Sequence, residues 1–335
     1  MSDPSRRSFS PRSTQRRQAI GRLGAIAAAL ALPFSALPAR AAVDGKQLRI
    51  GYQKSSTLTA LLKSQGTLEK RLAPLGVKVS WFEFTSGLPL LEALNIGSVD
   101  FSADVADTVP VFAQAAGARL TYVAQEAPSP TAQAIVVKED SPIRTVAELK
   151  GKKVGVAKAA GSHYLLLAAL EKAGLSAKDI EPAYLTPADG RAAFERGAID
   201  AWVIWDPFLA GVQRQSKVRL LSEGKPVADY KRYYLASSDY AQTRPDVLQI
   251  LFDELRHTGR WVKAHPKEAA ALLAPVWGLD AETVEQANAR RSYEVRPVRP
   301  DDLGEQQRIA DAFFAEKLLP KKVTASDVAL WKPRG

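Results

Sequence analysis

A chain of 335 residues, 46% hydrophobic and 24% charged, can bury a sizeable core as one large domain or two medium ones, and its 21 glycines and 21 prolines exclude a collagen-like or proline-rich polymer. The formal charge of +10 invites a nucleic-acid reading, but residues 1–41 hold seven arginines against one acid, leaving 39 basic and 35 acidic residues interspersed along the rest. Cysteine is absent, which excludes disulfides and a lipid-modified cysteine and leaves the core to hold the chain together.

In chain order, the first 41 residues have the pattern of a cleaved export leader. An arginine-rich stretch ends in QRRQAIGR, the apolar LGAIAAALALPF is too short to span a bilayer, and ALPARA places Ala39 and Ala41 in an A-x-A cleavage site. The pair Arg16–Arg17, or SRRSF at 5–9, suits twin-arginine export, with a Sec leader as the alternative route. The expectation is a soluble periplasmic protein without a lipid anchor, starting at Ala42.

From Leu48 short β-rich runs alternate with longer helical ones. LRIGYQ predicts a strand, STLTALLKSQGTLEKRLAP a helix ending near Pro74, VKVSWFEF a strand, and LPLLEALNIG a helix closed by Gly97. SVDFSAD, TVPVFAQAAG and LTYVAQ continue as strand, helix and strand, an order that implies a mainly parallel sheet covered on both faces. EAPSPTAQ (126–133) has two prolines and no periodicity and predicts a hinge crossing; a second α/β unit runs through VRLLSE, and YYLASS (233–238) is expected to cross back. The remainder is helical by its spacing and is expected to pack on the first lobe. One feature is internal. Gly97, Val99 and Asp100 recur as Gly197, Ile199 and Asp200, each set between a helix and an apolar strand, as two similar lobes would require.

Three strand-to-helix junctions share one chemistry. Ser55, Ser56 and Thr57 precede the first helix, Thr85, Ser86 and Gly87 the second, and Gly161, Ser162 and His163 a third in the second unit. Hydroxyls and free backbone N–H groups at a helix N-terminus, beyond the carboxyl end of a strand, suit an anion with several acceptor oxygens. Trp205 and Asp206, at the end of the WVIWDP strand, and Tyr52, at the end of the first, are candidates for an apolar wall; Trp202, alternating with Trp205, is expected in the core. The sequence lacks the enzyme signatures G-x-S-x-G, a Walker A loop and G-x-G-x-x-G, and its three histidines have no metal-ligand spacing. No cofactor or metal is called for.

The segments LRIGYQK, LEALNIGSVDF, PVFAQAAGA, YLTPADGRAAFERGAIDAWVIWDPF and LLPKKV together resemble the periplasmic aliphatic sulfonate-binding proteins of ABC importers, to which taurine- and nitrate-binding proteins are related. The resemblance runs from Leu48 to Trp331. It implies an α/β, type II periplasmic-binding-protein fold: two doubly wound lobes joined by two hinge crossings, with a helical C-terminal extension. Lobe 1 is expected from 42–128 plus 236–335 and lobe 2 from 129–235. It further implies a monomer without enzymatic activity that closes on a sulfonate for sulfur acquisition and delivers it to an inner-membrane permease with a cytoplasmic ATPase. Ligand-facing positions carried over are Gln53, Ser55, Ser86, Gly87, Asp107, Thr108, Gly161, Ser162, His163, Trp205 and Asp206, with Tyr52 added from the strand pattern. Two segments depart from the family: VADTVP stands where Gly-Asp-x-Pro-Pro is usual, and Ser162-His163-Tyr164 where Ser-His-Asn is usual. The alternatives are taurine or nitrate on the same fold, or an enzyme related to the pyrimidine-precursor synthases.

Overall fold

In the computed structural model the described residues are 45–334, so the expected leader over 1–41 lies outside them. The first lobe begins with β1 (Gln47–Gln53), α1 (Thr57–Gln65), α2 (Thr67–Leu72), β2 (Lys78–Phe84), α3 (Gly87–Asn95), β3 (Phe101–Ala106), α4 (Thr108–Ala115) and β4 (Leu120–Glu126). The single helix expected before Pro74 is two, because Gly66 takes φ 60°, a left-handed turn that glycine adopts freely and that ends α1. Residues 127–132 then carry the chain into a second sheet built from β5 (Gln133–Lys138), β6 (Lys153–Val156), β7 (Glu181–Tyr184), β8 (Ala201–Trp205) and β9 (Val218–Glu223). Its helices are α5 (Gly161–Lys172), α6 (Pro187–Glu195) and α7 (Phe208–Gln215).

The return differs from expectation. The crossing runs through residues 224–231, and YYLASS belongs to β10 (Arg232–Ser237), which lies antiparallel between β3 and β4 in the middle of the first sheet. Every residue of β10 is buried, so its unbroken apolar run is that of a central strand covered on both faces. The chain then adds α8 (Ser238–Thr243), α9 (Pro245–Ala264), α10 (Pro266–Trp277), α11 (Ala281–Arg290), β11 (Val295–Arg296), α12 (Gly304–Ala315) and β12 (Ala329–Leu330).

The first sheet has the order β11-β4-β10-β3-β1-β2, with β12 also on β4, and the second β7-β6-β8-β5-β9. Pairing is parallel within β2-β1-β3 and β7-β6-β8; β10 and β5 are the antiparallel insertions. The C-terminal extension mostly covers the first lobe, with α9 and α10 packed on α1. Its last helix does more. Ile309 and Phe313 of α12 share one apolar cluster with Val111 of α4 and with Leu165 and Leu166 of α5, so α12 rests on both lobes.

The internal repeat is structural. Gly97 and Gly197 take φ 77° and 70° at the ends of α3 and α6. The Asp100 N–H donates to the Arg49 carbonyl and a carboxylate oxygen of Asp100 accepts from the Arg49 N–H, both at 2.8 Å. Asp200 exchanges the same pair of bonds with Lys153, again at 2.8 Å. In each lobe the aspartate thus pins the strand after the helix (β3, β8) to the lobe's first parallel strand (β1, β6).

Candidate functional site

A cavity of about 270 Å³ lies between the lobes at the carboxyl ends of these strands. Gln53 at the end of β1, Thr85–Leu88 at the β2–α3 junction, and Ala106 and Val109 line it from the first lobe. Residues 157–161 at the β6–α5 junction, 184–187 before α6, and Trp205 line it from the second; Tyr230 and Arg232 close it on the hinge side.

Two of the helix starts facing this space, those of α3 and α5, have no side-chain cap. Ser86 is extended at φ −157°, ψ 171° and its hydroxyl makes no cap bond, so α3 begins with free N–H groups beside two unspent hydroxyls, Thr85 and Ser86. Ala160 occupies the N-cap of α5 and has no side chain to cap with. By contrast Thr186 accepts the Asp189 N–H at 3.2 Å, so α6 closes its own first turn. Glycines set how near these ends come. A Cβ on Gly87 would stand 2.9 Å from Val109 Cγ2, and one on Gly161 only 2.6 Å from Tyr230 Cε2.

Arg232 supplies the buried charge. It is 2% exposed, with its guanidinium 2.8 Å from Asp104 and donating through Nη1 to the Tyr230 hydroxyl at 2.9 Å. The phenol proton of Tyr230 is left to donate elsewhere. Behind the wall, Arg291 bridges Asp104 (3.1 Å) and Glu126 (2.6 Å), so two arginines and two carboxylates balance inside the hinge. Lys158, with its ammonium 5.7 Å from the Tyr184 ring centre, adds a cation at the mouth. Among the described residues no carboxylate lines the cavity. Ala159 is held from both lobes: at φ 62° it donates its N–H to His163 Nδ1 at 3.2 Å and accepts the Thr108 hydroxyl at 2.6 Å.

Of the residues expected from the sequence, Gln53, Ser86, Gly87, Gly161 and Trp205 meet at this cavity, as does Thr85. Seven do not. Tyr52 points to the opposite face of β1, where its hydroxyl accepts from Lys63 at 2.7 Å and its ring meets Trp81 edge-on, because neighbours in a strand alternate. Ser55 lines a separate cavity. Asp107 lies one residue past the rim and accepts the Lys231 N–H at 2.9 Å; burial and nearby Glu305 push its carboxyl up to about 7. Thr108 spends its hydroxyl on Ala159. Ser162 and His163 turn into the packing of α5: the Ser162 hydroxyl is fully buried, and the His163 ring lies edge-on to Phe313 and Tyr184. Burial, aided by Lys158, lowers His163 to about 4, which keeps the imidazole neutral as an acceptor for Ala159. Asp206 accepts from Ala210 N–H in the first turn of α7 and pairs with Arg290 at 3.0 Å, although burial raises its carboxyl to about 7. Trp202 is a core residue at 2% exposure against Phe194.

The sequence reading missed Arg232, Tyr230, Lys158 and Tyr184. The available signal was the dipeptide Lys231-Arg232 directly ahead of an apolar run, a poor place for a solvated charge.

The family described as NMT1/THI5 like matches residues 73–269. A relative in Escherichia coli (strain K12), described as an aliphatic sulfonates-binding protein, is 42% identical over 303 residues, spanning 90% of this chain and 94% of the relative. The crystal structure of the Escherichia coli periplasmic aliphatic sulphonate binding protein SsuA superposes with a TM-score of 0.80 at 43% identity, covering 86% of this chain and 93% of that one. The alkanesulfonate-binding protein SsuA of Xanthomonas axonopodis pv. citri, bound to MOPS, superposes with a TM-score of 0.80 at 40% identity, covering 85% and 98%.

Proposed function

We infer that this protein, which belongs to the NMT1/THI5-like family and within it to the aliphatic sulfonate-binding proteins, captures aliphatic sulfonates in the periplasm for an ABC importer. The observation that carries the reading is the chemistry of the cavity wall, where donors and cations come from both lobes and no carboxylate lies among the described residues. A sulfonate is ionised throughout the physiological range, so its three oxygens need donors and never a proton acceptor. The free N–H groups of α3 and α5, the Thr85 and Ser86 hydroxyls, the Tyr230 phenol and Arg232 match that need. Each charge-assisted bond contributes on the order of 1.5–3 kcal/mol. Trp205, Leu88 and Val109 cover the carbon chain. No bond is made or broken; the work is recognition by two lobes, so ligand favours the closed arrangement that a permease receives.

The same wall argues against taurine, whose ammonium has no carboxylate to meet, and against nitrate, for which an apolar wall is superfluous. We further propose that the mature protein is a monomer with no lipid anchor, and that its partner is an inner-membrane permease with a cytoplasmic ATPase.

Calorimetry of the purified mature chain tests the reading. Ethanesulfonate binds well ahead of taurine and nitrate. Trp205→Ala removes an aromatic wall and leaves a void beside the alkyl group, which lowers ethanesulfonate affinity severalfold. Equal affinity for taurine, or an Arg232→Met and Trp205→Ala pair that binds as the parent does, refutes it.

A further inference from the structure

A second cavity, of about 320 Å³, opens beside the first and is also walled by both lobes. Three aromatic side chains stand among its walls, Trp202 and Phe208 from the second lobe and Trp277 from the first, beside Pro187, Pro207 and Leu279, with Trp202 and Trp277 showing only an edge to the space. The two spaces share part of their walls. Pro187 borders both, Gln53 lines one and its neighbour Lys54 the other, and Trp205 of the first cavity meets Phe208 of the second edge-on with ring centres 5.8 Å apart. Two cations stand at the second cavity, and they are not alike. Arg191 is engaged by Glu195, whereas Lys54 is exposed and, among the described residues, makes no hydrogen bond or ion pair.

Building on the sulfonate reading, we propose that the second cavity is the tail subsite for elongated sulfonates: a flat aromatic tail passes Pro187 and lies among Trp202, Phe208 and Trp277, and an acidic group at its far end meets Lys54. The first cavity alone holds a short alkanesulfonate. A tail with two fused rings needs the second, and together the two reach the size usual for sites that enclose drug-sized ligands. Aromatic walls favour a ring over a flexible chain, since a ring stacks or meets edges with little entropy to lose. The lysine adds a preference for a second acid, because an ammonium without a partner gains from one where Arg191, already paired, does not.

Gly211, in α7, provides a plug. A Cβ there would come no nearer than 3.9 Å to Arg191 and Leu279, so a leucine side chain extends into the second cavity without backbone conflict and away from the first. Calorimetry would compare ethanesulfonate, naphthalene-2-sulfonate and naphthalene-2,6-disulfonate on the wild-type chain, Gly211→Leu and Lys54→Gln. The plug lowers affinity for both naphthalene ligands by roughly tenfold or more and leaves ethanesulfonate within about twofold. Lys54→Gln weakens the disulfonate alone, by up to about fivefold. If ethanesulfonate binds the wild type and the naphthalene ligands do not, or if the plug affects all three equally, the tail subsite is overturned while the sulfonate function stands. Binding of none of the three overturns the function itself. Should Gly211→Leu fail to fold, the wild-type comparison and Lys54→Gln still decide: a disulfonate no tighter than the monosulfonate, or unmoved by Lys54→Gln, removes the lysine from the site.

Discussion

Alanine at Gly161 tests whether the hinge-side wall is rigid when the lobes are together. The added methyl would sit 2.6 and 2.8 Å from Tyr230 Cε2 and Cδ2 and 3.2 Å from Ala106 Cβ, where carbon atoms rest at about 3.5–4.0 Å. The ring cannot simply swing aside. Its hydroxyl is held by Arg232, Arg232 is held by Asp104, and Tyr230 is 2% exposed. Within α5 itself the change is harmless, since the first turn of a helix accepts alanine better than glycine by up to about 1 kcal/mol. The clash is therefore with the return crossing and the first lobe, and it falls on the closed arrangement. Overpacking of this kind costs about 1–3 kcal/mol, which lowers sulfonate affinity by roughly 5- to 150-fold. Calorimetry measures that loss, thermal melting without ligand checks that the fold is intact, and small-angle scattering with saturating ligand reports whether the lobes still close. Full affinity in a variant that closes normally would show that Tyr230 yields freely and would refute the argument from a rigid wall.

Arg291→Met leaves Glu126, at 0% exposure, with the Tyr234 hydroxyl but no arginine, while Asp104 keeps Arg232, and unfolding in urea registers a loss of about 3–5 kcal/mol. Adding Glu126→Gln restores the balance and recovers part of that loss; a single-variant loss below about 1 kcal/mol would show that water reaches the cluster. Asp107 gives a pH dependence. With its folded carboxyl at about 7 against the ordinary 3.8, the native state keeps a proton that the unfolded chain has released, so stability falls as pH rises between those values. Asp206, also raised to about 7, acts in the same direction, while His163, lowered to about 4, opposes them up to its ordinary 6.5, so Asp107→Asn makes the urea-unfolding free energy fall less steeply with pH, most visibly between pH 6.5 and 8. An Asp107→Asn variant whose pH slope matches that of the parent contradicts the assignment.

The alternation of strands and helices was legible because each lobe is built from local βα units, and the Gly97/Gly197 repeat carried its own register. β10 was not. Tyr233–Ala236 is an aromatic and aliphatic run, and what makes it a central strand is β3 and β4, more than a hundred residues earlier in the chain. The same distance explains the site. Ser86–Gly87 and Gly161 announced themselves as helix starts with small or hydroxyl residues, and Trp205 as the end of an apolar strand. Arg232 gave only the weak signal of a charge ahead of an apolar run, because its meaning depends on Asp104, a pair separated by 128 positions. Tyr52 lies off the cavity by one step of strand alternation, and Ser162 and His163 by the rotation of α5, which aims its first N–H groups at the cavity while those side chains face the packing.

The late arrival of β10 orders how the polypeptide can assemble. Until residue 237 leaves the ribosome, β3 and β4 have no neighbour between them, whereas β5–β9 form one uninterrupted stretch. The downstream half can therefore complete its sheet first, and the upstream half waits as a nascent layer with open hydrogen-bonding edges on β3 and on both sides of β4, the state most prone to pair with another molecule. Premature termination anywhere between Glu126 and Arg232 would consequently yield a sticky fragment, never a working single lobe.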